Sequence, residues 1–240
     1  MTPTLALGLG ASGLTPLELT TAYNVFASQG IRHDSVAIKW VEDPEGQVLE
    51  KHVPLGERVM SEQQAFVMTS MLQGVVQRGT GTRAKVLNRP VAGKTGTTND
   101  FIDAWFVGYS PTLVAGVWVG IDDRESLGYK EAGGRSALPI WIEFMQEALE
   151  KVPLQEFVMP PHIRLVRINP RTGTSNDLGS GATVQIALAE ENTPRTAQVR
   201  AVQQVNRDGA TDLGVSSRWR DFDLGGYSSP RADESSRTAE

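Results

Sequence analysis

The fold of this chain is decided by the stretch Val91-Ala92-Gly93-Lys94-Thr95-Gly96-Thr97-Thr98-Asn99-Asp100, continued by Phe101-Ile102-Asp103-Ala104-Trp105-Phe106-Val107-Gly108-Tyr109. It places a cation, two flanking hydroxyls and a glycine in a row on a predicted strand. A turn at Asn99-Asp100 then leads into a second apolar strand. Leu113–Gly120 continues the pattern as a third strand. Short turns between three strands predict an antiparallel sheet.

The side chains of the first strand should divide between its two faces, because alternate residues of a strand point the same way. Thr95 and Thr97 are therefore expected on one face and Lys94 on the other. A lysine near a strand edge is long enough to curl round towards a ligand. Gly96 carries no side chain, so a ligand backbone could approach closely there. Such a strand suits an anionic, peptide-like ligand.

Helices are expected to cover this sheet, because its strands are almost continuously apolar. Thr15 with Glu18, and Ser61 with Gln64, each form a capping box that begins a helix. The helical spacing predicts three apolar faces, made of Leu17, Leu19, Ala22, Tyr23, Phe26 and Ala27 in the first helix, Phe66, Val67, Met71, Leu72 and Val75 in the second, and Ile140, Trp141, Phe144, Met145 and Leu149 in a third over 137–151. Val36–Glu42 and Gln47–His52 predict a hairpin around the turn Asp43-Pro44-Glu45-Gly46.

These motifs together resemble a known family. Lys94-Thr95-Gly96 resembles the third active-site motif of the penicillin-binding proteins. Arg78-Gly79-Thr80-Gly81, Asp103–Tyr109 and Gly116–Asp123 extend the resemblance to the bifunctional class A type. The resemblance implies an α/β fold of the α+β kind, with an antiparallel sheet covered by helices, similar to penicillin-binding proteins and β-lactamases but incomplete.

The resemblance also implies roles for individual residues. Lys94 would provide positive potential for the carboxylate of a peptidoglycan stem peptide or a β-lactam, and the hydroxyls of Thr95 and Thr97 would hydrogen-bond it. Gly96 belongs to the same substrate-binding strand. The backbone N–H of Thr97 would be one oxyanion donor, which is typically worth about 10²–10³ in rate. The reaction needs no cofactor and no metal. The implied partners are stem peptides on lipid-linked glycan strands, and β-lactams.

The nucleophile of such an enzyme is missing from these 240 residues. No serine is followed three residues later by Lys, and none two residues later by Asn. We therefore expect Met1 to be an internal methionine of a longer enzyme, with its glycosyltransferase domain and membrane anchor upstream. The chain alone should be inert. The parent protein is expected in the inner membrane, with this domain outside the cytoplasm, although the chain itself carries no signal peptide or transmembrane segment.

Composition excludes several other classes of protein. A net charge of −5 gives no reason to expect nucleic acid as a partner. The absence of cysteine excludes disulfides and thiol nucleophiles.

Gly8–Gly13 matches a dinucleotide-binding fingerprint, but too few residues precede it to form the strand that motif requires. Gly93-Lys94-Thr95 resembles the end of a P-loop, but Asn88 stands where the first glycine is needed.

Three segments are predicted along the chain. Residues 1–157 would be the C-terminal portion of a transpeptidase domain. Residues 158–192 would be a short β appendage, with strands at Ile163–Ile168 and Thr183–Ala189. Residues 193–240 have the composition of a disordered tail, in which Trp219, Phe222 and Tyr227 could form a docking motif. Two alternative functions stay open: a carboxypeptidase or β-lactamase-type hydrolase, and a non-catalytic scaffold or binding module.

Overall fold

The computed structural model describes residue 10 and residues 12–123, 125–175 and 182–190. The predicted tail, its docking motif and half of the Gly8–Gly13 stretch lie outside these residues. Three helices and nine strands are described, in chain order: α1 Pro16–Ala27, β1 Ile31–His33, β2 Trp40–Glu42, β3 Val48–Lys51, β4 Gly56–Arg58, α2 Glu62–Arg78, β5 Ala92–Thr97, β6 Asp103–Tyr109, β7 Val114–Gly120, α3 Ala137–Ala148, β8 Ile163–Ile168 and β9 Val184–Ala189. Two 3-10 turns, Thr82–Leu87 and Asn99–Phe101, flank β5.

The central sheet has the predicted antiparallel arrangement, in the order β5-β6-β7. In its register Thr95 faces Phe106, and Val107 faces Gly116. Strand β5 therefore pairs with β6 on one side only, and its other side is an edge of the described sheet. The mixed fold class predicted from the sequence, with helices covering an antiparallel sheet, is confirmed.

Both predicted capping boxes are present at the helix starts. Thr15 accepts from the backbone N–H of Glu18 at 3.2 Å, and the Glu18 carboxylate accepts from the N–H of Thr15 at 2.8 Å. Ser61 and Gln64 make the same reciprocal pair at 3.0 and 3.1 Å. Each box satisfies two backbone donors that a helix start otherwise leaves unpaired. Residues close together in sequence therefore determine both helix starts.

Helix α3 packs on the sheet face that carries Phe106. The rings of Phe106 and Trp141 meet edge to face with centroids 4.8 Å apart, and the Trp141 indole donates to the Ala115 carbonyl at 3.0 Å. The predicted face of this helix was partly wrong, because Ile140 and Phe144 are each half exposed. The buried stripe is Ala137, Leu138, Trp141, Met145 and Leu149.

Helices α1 and α2 cover the opposite face of the sheet, which carries Tyr109. The buried side chains of α2 repeat every three or four residues at Ala65, Thr69, Leu72 and Val76. The predicted α2 face was wrong at Met71, which is exposed. In α1, Leu17 is also exposed and Val25 is the buried residue. Leu72 belongs to the same buried cluster as Tyr109, and the Thr69 hydroxyl lies 2.9 Å from the Tyr109 hydroxyl.

Buried Tyr109 makes stability depend on pH in the alkaline range. Burial raises the pKa of Tyr109 and also that of Tyr23 above their ordinary value near 10. Above about pH 10 the unfolded chain loses these protons while the folded chain keeps them, so stability that is complete below pH 10 falls as pH rises further, by at most about 1.4 kcal/mol per pH unit for each group.

We expect Tyr109→Phe to reduce this alkaline loss. The variant keeps the ring contact with Phe157, and the Thr69 hydroxyl keeps its bond to the Ala65 carbonyl at 2.9 Å. Denaturant unfolding from pH 8 to pH 11 should show a shallower fall for the variant than for the wild type. Identical slopes would mean that Tyr109 ionises equally in both states, contrary to its burial.

Between α1 and α2 the chain forms two small ladders. The hairpin was predicted correctly as β2 and β3 around residues 43–46, but β2 begins at Trp40 instead of Val36. The pairing of β1 with β4, which encloses the hairpin, was missed. Strand β2 is shorter than predicted because residues 34–39 connect the β1–β4 pair to the β2–β3 hairpin.

The predicted strands near residues 163 and 183 are β8 and β9, which pair in register from Ile163 opposite Ala189 to Ile168 opposite Val184. The hairpin packs against α2, with Ala187 and Ala189 buried. The Gln63 amide of α2 also donates to the Pro161 carbonyl at 3.0 Å.

Candidate functional site

The predicted ligand strand β5 presents backbone groups along its unpaired edge. The N–H of Thr98 donates to the Asp103 carbonyl at 3.1 Å, so it points towards β6. Successive N–H groups of an extended strand point in opposite directions. The N–H groups of Thr97 and Thr95 therefore point outward, where a ligand can reach them.

The ammonium group of Lys94 lies at this same edge. Its side chain starts on the opposite face from Thr95 and curls round, as expected, so that Nζ donates to the Thr95 carbonyl at 2.7 Å. Within the described part of the chain, no carboxylate lies within ion-pair distance of Lys94. The exposed positive charge is therefore available to an anionic ligand.

The Thr95 hydroxyl has a partner from the loop after α2. Its Oγ1 lies 2.7 Å from the Thr80 hydroxyl and 3.5 Å from Lys94 Nζ. The contact joins residues 15 positions apart. Thr80 belongs to the Arg-Gly-Thr-Gly motif. The sequence assigned this motif to the family resemblance and predicted no contact for it.

The Thr97 hydroxyl is held by the loop that precedes α3. It accepts a hydrogen bond from the backbone N–H of Gly133 at 3.1 Å, and its own proton stays available to donate. Gly133 is buried against the β5–β6 pair: a Cβ there would lie 2.1 Å from the Trp105 carbonyl oxygen and 2.4 Å from that of Gly96. The only hint of this contact in the sequence is the Gly133-Gly134 pair before a helix.

Gly96 has a packing role in addition to the predicted one. A Cβ at this position would lie 3.0 Å from Cβ of Trp105, which stands directly opposite on β6. The indole of Trp105 lies beside that of Trp118, with centroids 6.3 Å apart, and Trp118 donates to the Asp103 carboxylate at 2.8 Å. The absence of a side chain at Gly96 leaves this surface open for ligand approach, which stays a prediction.

The turn after β5 has a strained backbone, which hydrogen bonds from a later segment of the chain hold in place. Asp100 and Phe101 both have positive φ, 61° and 57°, which is uncommon for residues other than glycine. The backbone here is fixed by Ser126, whose hydroxyl donates to the Asp100 carbonyl at 2.6 Å, and by the N–H of Leu127, which donates to the Phe101 carbonyl at 2.9 Å. The segment with Ser126 and Leu127 therefore holds the turn that follows β5.

A cavity lies elsewhere, away from the predicted site residues of β5. It has a volume of about 360 Å³ between α1 and the start of β7, and it contains none of the four predicted site residues. The described residues contain no group of three or more side chains that could hold a metal ion. None of the described helices combines the length and apolar character that crossing a bilayer requires.

Comparisons with known proteins identify the family. The sequence model of the penicillin binding protein transpeptidase domain matches residues 2–146. Penicillin-binding protein 1A of Aquifex aeolicus is 49% identical over 169 residues, which are 70% of this chain and 23% of that protein. Penicillin-binding protein 1A of Pseudomonas aeruginosa is 36% identical over 79% of this chain and 29% of its own length.

A solved structure agrees with the sequence comparison. Penicillin-binding protein 1A from Haemophilus influenzae superposes with a TM-score of 0.69 and 30% identity, over 76% of this chain and 33% of that structure. The chain spans less than a third of the length of the Aquifex and Pseudomonas relatives. The family match over residues 2–146 covers the site strand, both flanking loops, helices α1 and α2 and most of α3. The chain therefore belongs to the penicillin-binding protein transpeptidase domain family.

Proposed function

We propose that β5 is the carboxylate-binding strand of a peptidoglycan D,D-transpeptidase. The observation that carries this proposal is the edge of β5 that no described strand pairs with, which carries the outward N–H of Thr97, the Thr95 hydroxyl and an ammonium that no described carboxylate neutralises. These groups suit a ligand that ends in a carboxylate and carries a carbonyl nearby. The terminal D-Ala–D-Ala of a stem peptide has this chemistry, and a β-lactam presents a carboxylate and a carbonyl in a similar way.

Each residue has a distinct role in this proposal. Lys94 attracts the carboxylate electrostatically, and the Thr95 and Thr97 hydroxyls fix its orientation by donating to it. The Thr97 N–H donates to the carbonyl oxygen, which becomes negatively charged as a nucleophile adds to the carbonyl carbon. Because these donors are fixed by the strand and its flanking loops, they need no reorganisation during the reaction.

The nucleophile is proposed to come from a part of the protein outside these 240 residues. A serine hydroxyl there would attack the penultimate D-Ala carbonyl, form an acyl-enzyme and release the terminal D-Ala. An amine of a second stem peptide would then take the acyl group and free the serine. The family match supports this transpeptidase reaction over both a hydrolase and a non-catalytic scaffold.

The three-part division of the chain also remains a proposal. The family match ends at residue 146, close to the end of α3 at Ala148, which supports a transpeptidase portion over 1–157. The β8–β9 hairpin within 158–192 would then be an addition that docks on α2, followed by a tail over 193–240. We propose that the whole protein works outside the cytoplasm, attached to the inner membrane, because its substrate is a lipid-linked glycan strand.

Substitution of Lys94 tests the proposed function. We expect Lys94→Ala to weaken binding of N-acetyl-D-alanyl-D-alanine by about tenfold, because a charge-assisted hydrogen bond to the ligand is lost. Affinity for the C-terminal amide of the same peptide should change less than about twofold, since the amide carries no charge. Isothermal titration of the full 240-residue chain measures both.

A matched control removes the same charge elsewhere. Lys51→Ala lies on the exposed β2–β3 hairpin and should leave both affinities as in the wild type. A wild-type chain that binds the acid no better than the amide would contradict the proposed function.

A further inference from the structure

We infer that Thr80 is a positioning residue, which turns the Thr95 hydroxyl into a donor for the ligand carboxylate. This inference rests on the proposed function and concerns the contact between the Arg-Gly-Thr-Gly loop and β5. The two hydroxyl oxygens lie 2.7 Å apart, so they share one hydrogen bond. Which of the two hydroxyls donates this bond determines whether Thr95 can donate a hydrogen bond to a ligand.

A hydroxyl has one proton to donate and two lone pairs that accept. If Thr95 donated to Thr80, it would present only lone pairs at the strand edge, and these repel a carboxylate. If Thr80 donates, the proton of Thr95 is free to point at the ligand. Only the second arrangement makes Thr95 a carboxylate-binding residue.

The surroundings favour donation by Thr80. Lys94 Nζ lies 3.5 Å from Thr95 Oγ1, and an ammonium group can only donate. The Thr95 oxygen can therefore receive protons from two neighbours, which uses both of its lone pairs. Its own O–H bond is then left for the edge of the strand. A bound carboxylate strengthens this order, because it accepts the Thr95 proton and makes that oxygen a better acceptor.

The loop around Thr80 is packed so that this hydroxyl has little freedom to move away. A Cβ on Gly134 would lie 3.2 Å from the Thr80 carbonyl oxygen and 3.7 Å from Thr95 Cγ2. The Gly133-Gly134 segment therefore lies against both threonines. The N–H of Gly81 donates to the Val75 carbonyl of α2 at 3.1 Å. The loop is therefore held between α2 and the Gly133-Gly134 segment. Thr80 itself is exposed, so its substitution should not unfold the chain.

The test compares two variants of Thr80 by their preference for acid over amide. Thr80→Val keeps the shape of the side chain and removes the hydroxyl; Thr80→Ser keeps the hydroxyl. In titrations with N-acetyl-D-alanyl-D-alanine and its C-terminal amide, we expect Thr80→Val to reduce the acid-to-amide affinity ratio by roughly fivefold to tenfold. Thr80→Ser should stay within about twofold of the wild type.

A double-mutant cycle separates positioning from a general structural effect. If Thr80 acts through Thr95, Thr80→Val should change the ratio by less than about twofold when Thr95→Val is already present. A Thr80→Val chain that keeps the wild-type ratio, or that loses acid and amide affinity equally, overturns the positioning role. The proposed function would still stand if Lys94→Ala lowered the ratio in the same assay. A wild-type chain without any preference for the acid overturns both.

Discussion

Gly133→Ala is expected to lower the free energy of unfolding by about 3 kcal/mol and to weaken carboxylate binding. The added methyl group would lie 2.1 Å from the Trp105 carbonyl oxygen and 2.4 Å from that of Gly96, both backbone atoms of the central sheet. Backbone cannot rotate aside as a side chain can, so overpacking of this kind is costly. The loop must then move off β5, and the Thr97 hydroxyl loses its partner.

Denaturant unfolding and titration with N-acetyl-D-alanyl-D-alanine measure the two effects separately. Gly13→Ala is the matched control, because a Cβ at Gly13 meets no atom within 4 Å. It should change stability by less than about 0.5 kcal/mol. If Gly133→Ala were as stable as this control, the close approach of the loop to β5 would be wrong. If it lost stability but kept full affinity, Gly133 would have no part in holding Thr97.

Trp141→Ala should cost about 3–5 kcal/mol of unfolding free energy, within the range for deleting a large buried aromatic side chain. Trp141 is completely buried between α3 and the sheet, and its ring meets Phe106. The substitution leaves a large cavity. It also removes the hydrogen bond that the indole donates to the Ala115 carbonyl.

The control for this change is Trp40→Ala on the exposed β2–β3 hairpin. Trp40 is 53% exposed, and its indole bonds only the neighbouring Glu42 among the described residues. We expect a loss below about 1 kcal/mol, measured by circular dichroism during denaturant unfolding, since fluorescence would change with either tryptophan. Equal losses for the two variants would show that α3 contributes no more to the core than the hairpin does.

The parts of the fold that were predictable depend on residues close together in sequence. A capping box spans four residues, so Thr15 with Glu18 was enough to place the start of α1. The three central strands were recognised for the same reason, because β6 and β7 are almost continuous apolar runs and β5 carries the Lys-Thr-Gly motif just before a turn. The hairpin around residues 43–46 also follows from a local turn signal.

The errors concern which side of an element meets the rest of the protein. Ile140 and Phe144 fit the helical spacing of α3 as well as Leu138 does, and only the position of the sheet decides that they stay exposed. The pairing of β1 with β4 was missed because it joins segments on either side of an intervening hairpin. The periodicity of apolar residues predicts which side chains share one face of a helix or strand. It does not predict which face packs against the core.

The residues of the candidate site also divide into those that a short motif predicts and those that only the folded chain brings together. The strand residues Lys94 and Thr97 were assigned from the Lys-Thr-Gly motif and its resemblance to a family. The groups that hold the Thr95 and Thr97 hydroxyls, Thr80 and Gly133, come from loops on either side in sequence, 15 and 36 residues from their partners. No short motif records such a contact. It becomes visible only once the two loops are placed over the strand.

The most direct test of the central claim is a map of the ligand on the backbone of β5. In a titration of the isotopically labelled chain with N-acetyl-D-alanyl-D-alanine, followed by amide resonances, the largest shifts should fall on the outward N–H groups of Thr95 and Thr97. The C-terminal amide should shift them much less at the same concentration. Largest shifts around the cavity between α1 and β7, or the same response to acid and amide, would contradict the assignment of β5 as the carboxylate-binding strand.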